Sequence, residues 1–134
     1  MSDFDWSVRV YYEDTDSGGV VYHSNYMNFM ERARTEWLRS LGFEQDELIT
    51  HHQCIFAVHS MQITFRLPAH FNDALVVKSH IERAAKASMD FLQKIYRNDE
   101  LLCEARVKVA CLDATRFRPM PLPSFILMEI VREC

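Results

Sequence analysis

Glycine is scarce in this chain of 134 residues: there are three, and two of them, Gly18 and Gly19, stand side by side between an acidic run and a histidine. No repeat, low-complexity tract or linker is present, so the paired glycines mark a place where the backbone has a particular task. Long apolar runs are lacking as well, which weighs against a transmembrane segment. The opening residues MSDFDWSVRV carry two acids and lack the basic start and apolar stretch of a secretion signal, so a cytoplasmic protein is expected. Excess positive charge is missing: 15 Lys and Arg face 19 Asp and Glu, and a net charge of -4 argues against a general nucleic-acid binder. The four cysteines, Cys54, Cys103, Cys111 and Cys134, show neither Cys-x-x-Cys spacing nor the density of a disulfide scaffold. Reduced thiols are expected, with Cys103 and Cys111 as packing groups on one face of a strand.

The length fits one domain over residues 1–134, able to bury roughly two-thirds of its unfolded surface. Alternation in WSVRVYY predicts a strand ending near Tyr12. From Ser24 the period changes. Tyr26, Met30, Ala33, Trp37 and Leu41 recur at steps of three and four, and Glu31, Arg32, Arg34, Glu36 and Arg39 occupy the other face. Ser24 is the expected cap, and Gly42 followed by Phe43 the expected stop. A short helical piece is expected over EQDELITHH. Four strands follow, over Cys54 to Leu67, Ala74 to Arg83, Ser88 to Arg97 and Leu101 to Asp113, with turns at LPAHFND and RNDE. Prolines after Arg118 end the sheet, and the short apolar segment beyond them is expected to dock on a neighbour. The sum is an α+β fold, a curved antiparallel sheet around one long helix, whose uncovered edge favours oligomers.

Glu13, Asp14 and Asp16 place three carboxylates within four positions. A calcium loop beginning at Asp14 fails at two ligands, with Gly18 where a third acid belongs and Asn25 where a bidentate glutamate belongs. A phosphate loop fails because no Lys-Ser or Lys-Thr follows the glycines. No metal or other cofactor is expected. A strand, a glycine turn and a helix start offer a different chemistry. The first helical turn has N–H groups without partners and a partial positive charge, so it can hold a carbonyl oxygen as negative charge develops there. Asp16 beside that carbonyl is a base or nucleophile, with His23 at the helix entrance, an arrangement suited to acyl transfer to water. The bland alternative stays open: Asp and Gly are common turn formers, and Tyr12 and Tyr22 serve equally as core or interface aromatics.

The stretch VRVYYEDTDSGGVVYHSNYMNFMERARTEWLR resembles the signature of hotdog-fold acyl-CoA thioesterases of the 4-hydroxybenzoyl-CoA thioesterase class, and is most similar to their Tol-Pal-associated, YbgC-type bacterial branch. RLPAHFNDALVV and ARVKVACLD are similar to later, less specific family segments. The resemblance implies a hotdog fold and an acyl-CoA thioester hydrolase with sites at a dimer interface, in dimers or in homotetramers built as dimers of dimers. It implies a catalytic role for Asp16, an assisting one for His23 with its N–H polarising the thioester carbonyl, and a place in the site for Tyr12. Asp14 matches a structural position. Glu31 matches, less well, a helix glutamate of another branch.

Gly19, Val20 and Tyr22 in the turn, and Met30 and Val58 in the core elements, are candidate substrate contacts; Met27, Phe29 and Phe56 are further candidates for an acyl pocket. Cations near turns and strand ends, Arg83 and Lys86 foremost, with Arg97, Arg116 and Arg118, are candidates for the phosphates of coenzyme A. An acyl carrier protein is a second possible partner. Two rivals remain: a binding module for acyl groups or acyl carrier protein, linked to an envelope assembly and lacking turnover, and a hotdog dehydratase. Asp16 and His23 together disfavour the first. SNYM after the histidine, in place of Pro-Gly, disfavours the second.

Overall fold

The computed structural model describes residues 3–17 and 19–132; Gly18 and Cys134 lie outside the described residues. β1 (Phe4–Arg9) is followed by a 3-10 turn over Tyr12–Asp14, then α1 (His23–Ser40), α2 (Gln45–His52), β2 (Cys54–Phe65), β3 (Ala74–Ala84), β4 (Ser88–Arg97), β5 (Glu100–Asp113) and α3 (Ser124–Arg132). The strands form one antiparallel sheet in the order β1-β3-β4-β5-β2. Its central strand β4 alternates strictly and its neighbour β5 does so from Cys103 onward: Met89, Phe91, Gln93 and Ile95, and Cys103, Ala105, Val107, Val109 and Cys111, are buried. Trp37 of α1 meets Phe91 edge-on at 5.4 Å between ring centroids. Each such aromatic or aliphatic side chain, fully buried, contributes roughly 1.5–3 kcal/mol before entropy is counted.

The strand expected to reach Tyr12 stops at Arg9. The reason is local competition: the Asp14 carboxylate accepts the Tyr11 N–H at 2.8 Å and the Thr15 hydroxyl donates to the Tyr12 carbonyl at 2.7 Å, closing a turn in place of further ladder. Ser24 is not the cap of α1. The helix begins one residue earlier, with Tyr22 in the capping position and no side-chain cap bond. The C-terminal stop is as expected: Gly42 has φ +96°, and the Phe43 N–H returns to the Leu38 carbonyl at 3.1 Å.

Arg34, placed by periodicity on the wet face, is buried, with 9% of its surface exposed. A helix enclosed by a curved sheet loses a wider arc to the core than a helix lying on a flat one, so Phe29, Arg34 and Leu38 join Tyr26, Met30, Ala33 and Trp37 inside. Arg34 donates to Gln93 Oε1 at 2.9 Å, and Gln93 Nε2 donates to the Met30 carbonyl and to Ser79 Oγ, tying the helix to β3 and β4. Burial pulls the Arg34 guanidinium below its usual range, and the nearby Glu31 charge works against that.

The tail holds a helix that the sequence pattern did not disclose. The side chains of Ile126 and Ile130 in α3 are buried in this chain's own core, and Phe125 lies against Phe43 and His52. The Leu122 N–H donates to the Lys86 carbonyl at 2.8 Å, fixing the tail to the β3–β4 turn. Cys54, Cys103 and Cys111 are buried free thiols, Cys54 Sγ lying 3.2 Å from Cys111 Sγ, and burial pushes the Cys103 thiol up to about 12. No helix among the described residues is long and apolar enough to cross a membrane.

Candidate active site

The site is built on the segment between β1 and α1. Asp14 knots it from within: its carboxylate is taken by Tyr11, and its carbonyl accepts the Tyr22 N–H at 3.0 Å and Asn25 Nδ2 at 2.8 Å. Beyond it the chain makes a tight loop. The Asp16 N–H donates to the Val20 carbonyl and the Gly19 N–H to the Asp16 carbonyl, both at 3.0 Å, while Thr15 and Val21 pair across the loop. Gly19 sits at φ +84°, and a Cβ added there would meet nothing within 4 Å. Conformation, not crowding, therefore demands glycine at this position. Asp16, exposed, is part of this loop.

The helix entrance is open. Among the described residues no acceptor takes the N–H groups of His23 and Ser24, whereas the Asn25 N–H already bonds the Tyr22 carbonyl at 2.9 Å. The result is a pair of donors at the positive end of an 18-residue helix, in the place where a side-chain cap would otherwise sit. The imidazole of His23 packs on Phe65 at 5.0 Å between centroids and lies 6.2 Å from the Tyr22 ring.

The opposite wall comes from the far side of the sequence. The loop after β2, residues 66–73, lies against the turn: the Val21 N–H donates to the Ala69 carbonyl at 2.9 Å, Val20 pairs with His70, and the Phe71 N–H reaches the Gly19 carbonyl at 3.2 Å. Tyr12 meets Phe71 edge-on at 5.9 Å. A cleft of 230 Å³ opens between these walls, bordered by Val20, His23, Tyr26, Phe65, Leu67 and Pro68. Its width exceeds what one water needs, and its lining is chiefly apolar, as for an acyl group.

Of the expected residues, Val20 and His23 border this cleft, whereas Tyr12, Asp16, Gly19 and Tyr22 lie in the segment that leads to it and do not line it. The other expected contacts lie elsewhere. Met30 is sealed in the core with 0% exposure. Val58 borders a separate 230 Å³ cavity under α1, with Glu31, Arg34, Phe56 and Met89. Arg83 is next to last in β3, about 30 Å along the strand from Ala74, which adjoins the cleft loop, and Lys86 lies in the turn beyond. Arg97 is already engaged, donating to the Pro68 carbonyl and to Asp73 and Glu100. Val21, Tyr26, Phe65, Arg66, Leu67 and Pro68 are the cleft residues that sequence reasoning missed. The sole signal for Tyr26 was a hydroxyl on an otherwise apolar helix face, one turn from the glycine loop.

Residues 10–130 match the profile of the thioesterase-like superfamily. The chain is 44% identical over 120 residues to the acyl-CoA thioesterase YbgC of Haemophilus influenzae, covering 90% of this chain and 88% of that one. It is 43% identical over 127 residues to the acyl-CoA thioester hydrolase YbgC of Escherichia coli O6:H1, covering 94% of each. Among solved structures, a probable thioesterase from Bartonella henselae superposes with a TM-score of 0.87 at 35% identity, covering 91% of this chain and 100% of that one. The 1,4-dihydroxy-2-naphthoyl-CoA thioesterase Slr0204 from Synechocystis does so with a TM-score of 0.89 at 26% identity, covering 97% and 96%. The sheet enclosing a long helix is the hotdog fold of these proteins.

Proposed function

The chain belongs to the thioesterase-like superfamily and is an acyl-CoA thioesterase; from that premise we propose that hydrolysis takes place in the cleft at the start of α1, with Asp16 as general base or nucleophile. The observation that carries this assignment is the pair of open N–H groups at His23 and Ser24, set beside the loop that presents Asp16. A thioester carbonyl placed at the helix entrance is polarised by those donors and by the helix dipole. Asp16 then adds to the carbonyl carbon or takes a proton from an attacking water. In either case the electron pair moves to the carbonyl oxygen and returns as the thiolate of coenzyme A departs; where Asp16 itself has added, water then cleaves the resulting acyl-aspartyl anhydride, releasing the acid and restoring the carboxylate. His23 orients the site or relays a proton, and Tyr12, Val20 and Tyr22 flank the substrate. No step requires a metal.

The protein acts as a homo-oligomer, a dimer or dimer of dimers, in the cytoplasm. Val58, Arg83 and Lys86, remote from the cleft of their own protomer, would contact substrate held by a neighbouring copy. Acyl carrier protein is the alternative carrier of the acyl group. The competing reading is a module that binds acyl groups or acyl carrier protein at an envelope assembly without turnover. A panel of acyl-CoA thioesters assayed by free-thiol release separates the two. Hydrolysis that falls by a factor on the order of 10² or more in a folded Asp16→Asn variant supports the enzyme. Binding without thiol release by the wild-type protein supports the module, and near-normal rates in Asp16→Asn remove that residue from the mechanism.

A further inference from the structure

Tyr26 is 3% exposed, yet it borders the cleft that also holds His23. The phenol oxygen accepts the Ala69 N–H at 2.9 Å, and among the described residues the hydroxyl proton has no acceptor. The bond from Ala69 occupies one side of the phenol oxygen, which leaves the hydroxyl proton free to donate on the other. The ring itself is held by edge contacts with Phe29 and Phe65 at 6.4 and 5.5 Å. Helical side chains lean toward their own N-terminus, so Tyr26 reaches toward the entrance of α1, and it borders the same cleft as His23 one turn earlier.

We propose that the Tyr26 hydroxyl is a catalytic hydrogen-bond donor, giving its proton-side contact to the thioester carbonyl oxygen alongside the N–H groups that open α1. This assignment rests on the cleft being the hydrolytic site. The carbonyl oxygen is the atom that needs a second donor, because it receives the electron pair when the nucleophile adds. The sulfur leaves as a stable thiolate and needs little help. Tyr26 keeps its proton throughout, strengthening one hydrogen bond as charge builds on oxygen and relaxing it as the carbonyl re-forms. Burial holds the phenol above its ordinary acidity range, opposed by the bond from Ala69, which suits a donor that never ionises.

In Tyr26→Phe, which keeps the ring, kcat is expected to fall by roughly 10² while KM changes less than about threefold. The variant also strips the Ala69 N–H of its acceptor, so loosening of the loop is the competing explanation. Two unreactive ligands separate them: an acyl-CoA analogue with methylene in place of sulfur, which keeps the carbonyl, and an S-alkyl-CoA thioether, which has none. Donation to the carbonyl weakens binding of the ketone by the same small factor as KM, up to about threefold, and leaves the thioether unchanged; equal weakening of both, or of neither, overturns the proposal. If Tyr26→Phe does not fold, 3-fluorotyrosine placed at position 26, a stronger donor and weaker acceptor, must tighten the ketone relative to the thioether. An unchanged ratio rejects the role. Both binding measurements need no turnover, so failure of wild-type hydrolysis counts against the enzymatic function separately.

Discussion

His23→Ala keeps the N–H that opens α1 and removes only an imidazole resting on Phe65. If the backbone polarises the substrate, the loss of activity is smaller than for Asp16→Asn, since the donor and the helix dipole survive. Gly19→Val does the reverse. It takes away no functional group, yet it forces a β-branched residue to φ +84°, a strain of order 1–3 kcal/mol that falls on the loop carrying Asp16. Its space is empty, so the damage is to the aim of the loop and not to packing. Hydrolysis rates for the two variants, compared at matched circular dichroism and oligomer size, test the division. His23→Ala as inactive as Asp16→Asn, with Gly19→Val normal, would return the glycine to the rank of ordinary turn former and the catalysis to the imidazole.

At the scale of elements, the cleft depends on a loop that has little core of its own. Residues 66–73 are held by Arg97 at the end of β4, which donates to the Pro68 carbonyl at 3.2 Å and to Asp73 Oδ2 at 2.8 Å, while Asp73 also accepts the His70 N–H at 2.8 Å. Partial burial pushes the Asp73 carboxyl up, but the His70 N–H and the Arg97 guanidinium outweigh it and hold the group below the usual carboxylate range. A depressed carboxyl contributes stability that is complete above its unfolded value and lost as pH falls through its folded one. Asp73→Asn is therefore expected to lower stability by roughly 1–2 kcal/mol at neutral pH, after allowing for solvent screening of a partly exposed pair. The gap between variant and wild type should close below about pH 4. Thermal midpoints of both proteins between neutral and acid pH supply the test; a gap independent of pH means that the ion pair is not what holds the loop. Because the loop also carries Ala69, the variant should slow hydrolysis in proportion to the loss of order at Tyr26.

In the whole molecule, the sheet leaves one long edge unpaired among the described residues of the protomer. β2 bonds to β5 on one side only, and on it Val58 is 49% exposed. Exposed apolar groups also ring the cleft, among them Tyr12, Tyr22, Phe65, Leu67 and Phe71. An edge of this length and an apolar rim of this kind are covered in stable proteins, most simply by a second copy. Val58→Asp puts a charge on that edge, and it is expected to shift the sedimenting species toward the monomer and to lower activity at least about tenfold. A monomeric wild-type protein with full activity would dispose of the shared-site arrangement, and with it the parts given to Arg83 and Lys86.

What the sequence determined by itself is what nearest neighbours along the chain decide. The 3.6-residue period of Tyr26, Met30, Ala33 and Trp37 and the two-residue period of Cys103 to Cys111 sort side chains to a buried face whatever covers it, so α1, the strands and their α+β class were legible. So was the loop of Asp16 and Gly19, because a positive φ is a local demand and glycine meets it most cheaply. The last helix was not: an apolar run of a few residues after three prolines has too little length for either period to show, and packing on Phe43 and the core decided its form. Arg34 went inside because a curved sheet closes over more of a helix than a local pattern can register. The cleft belongs wholly to tertiary structure. Its donors lie at His23 and Ser24, its wall at Phe65 and Pro68, and the anchor of Tyr26 at Ala69, 43 residues further along. Periodicity states which face of an element is hidden; only the chain's return past the start of α1 states what hides it, and therefore which side chains border a cleft.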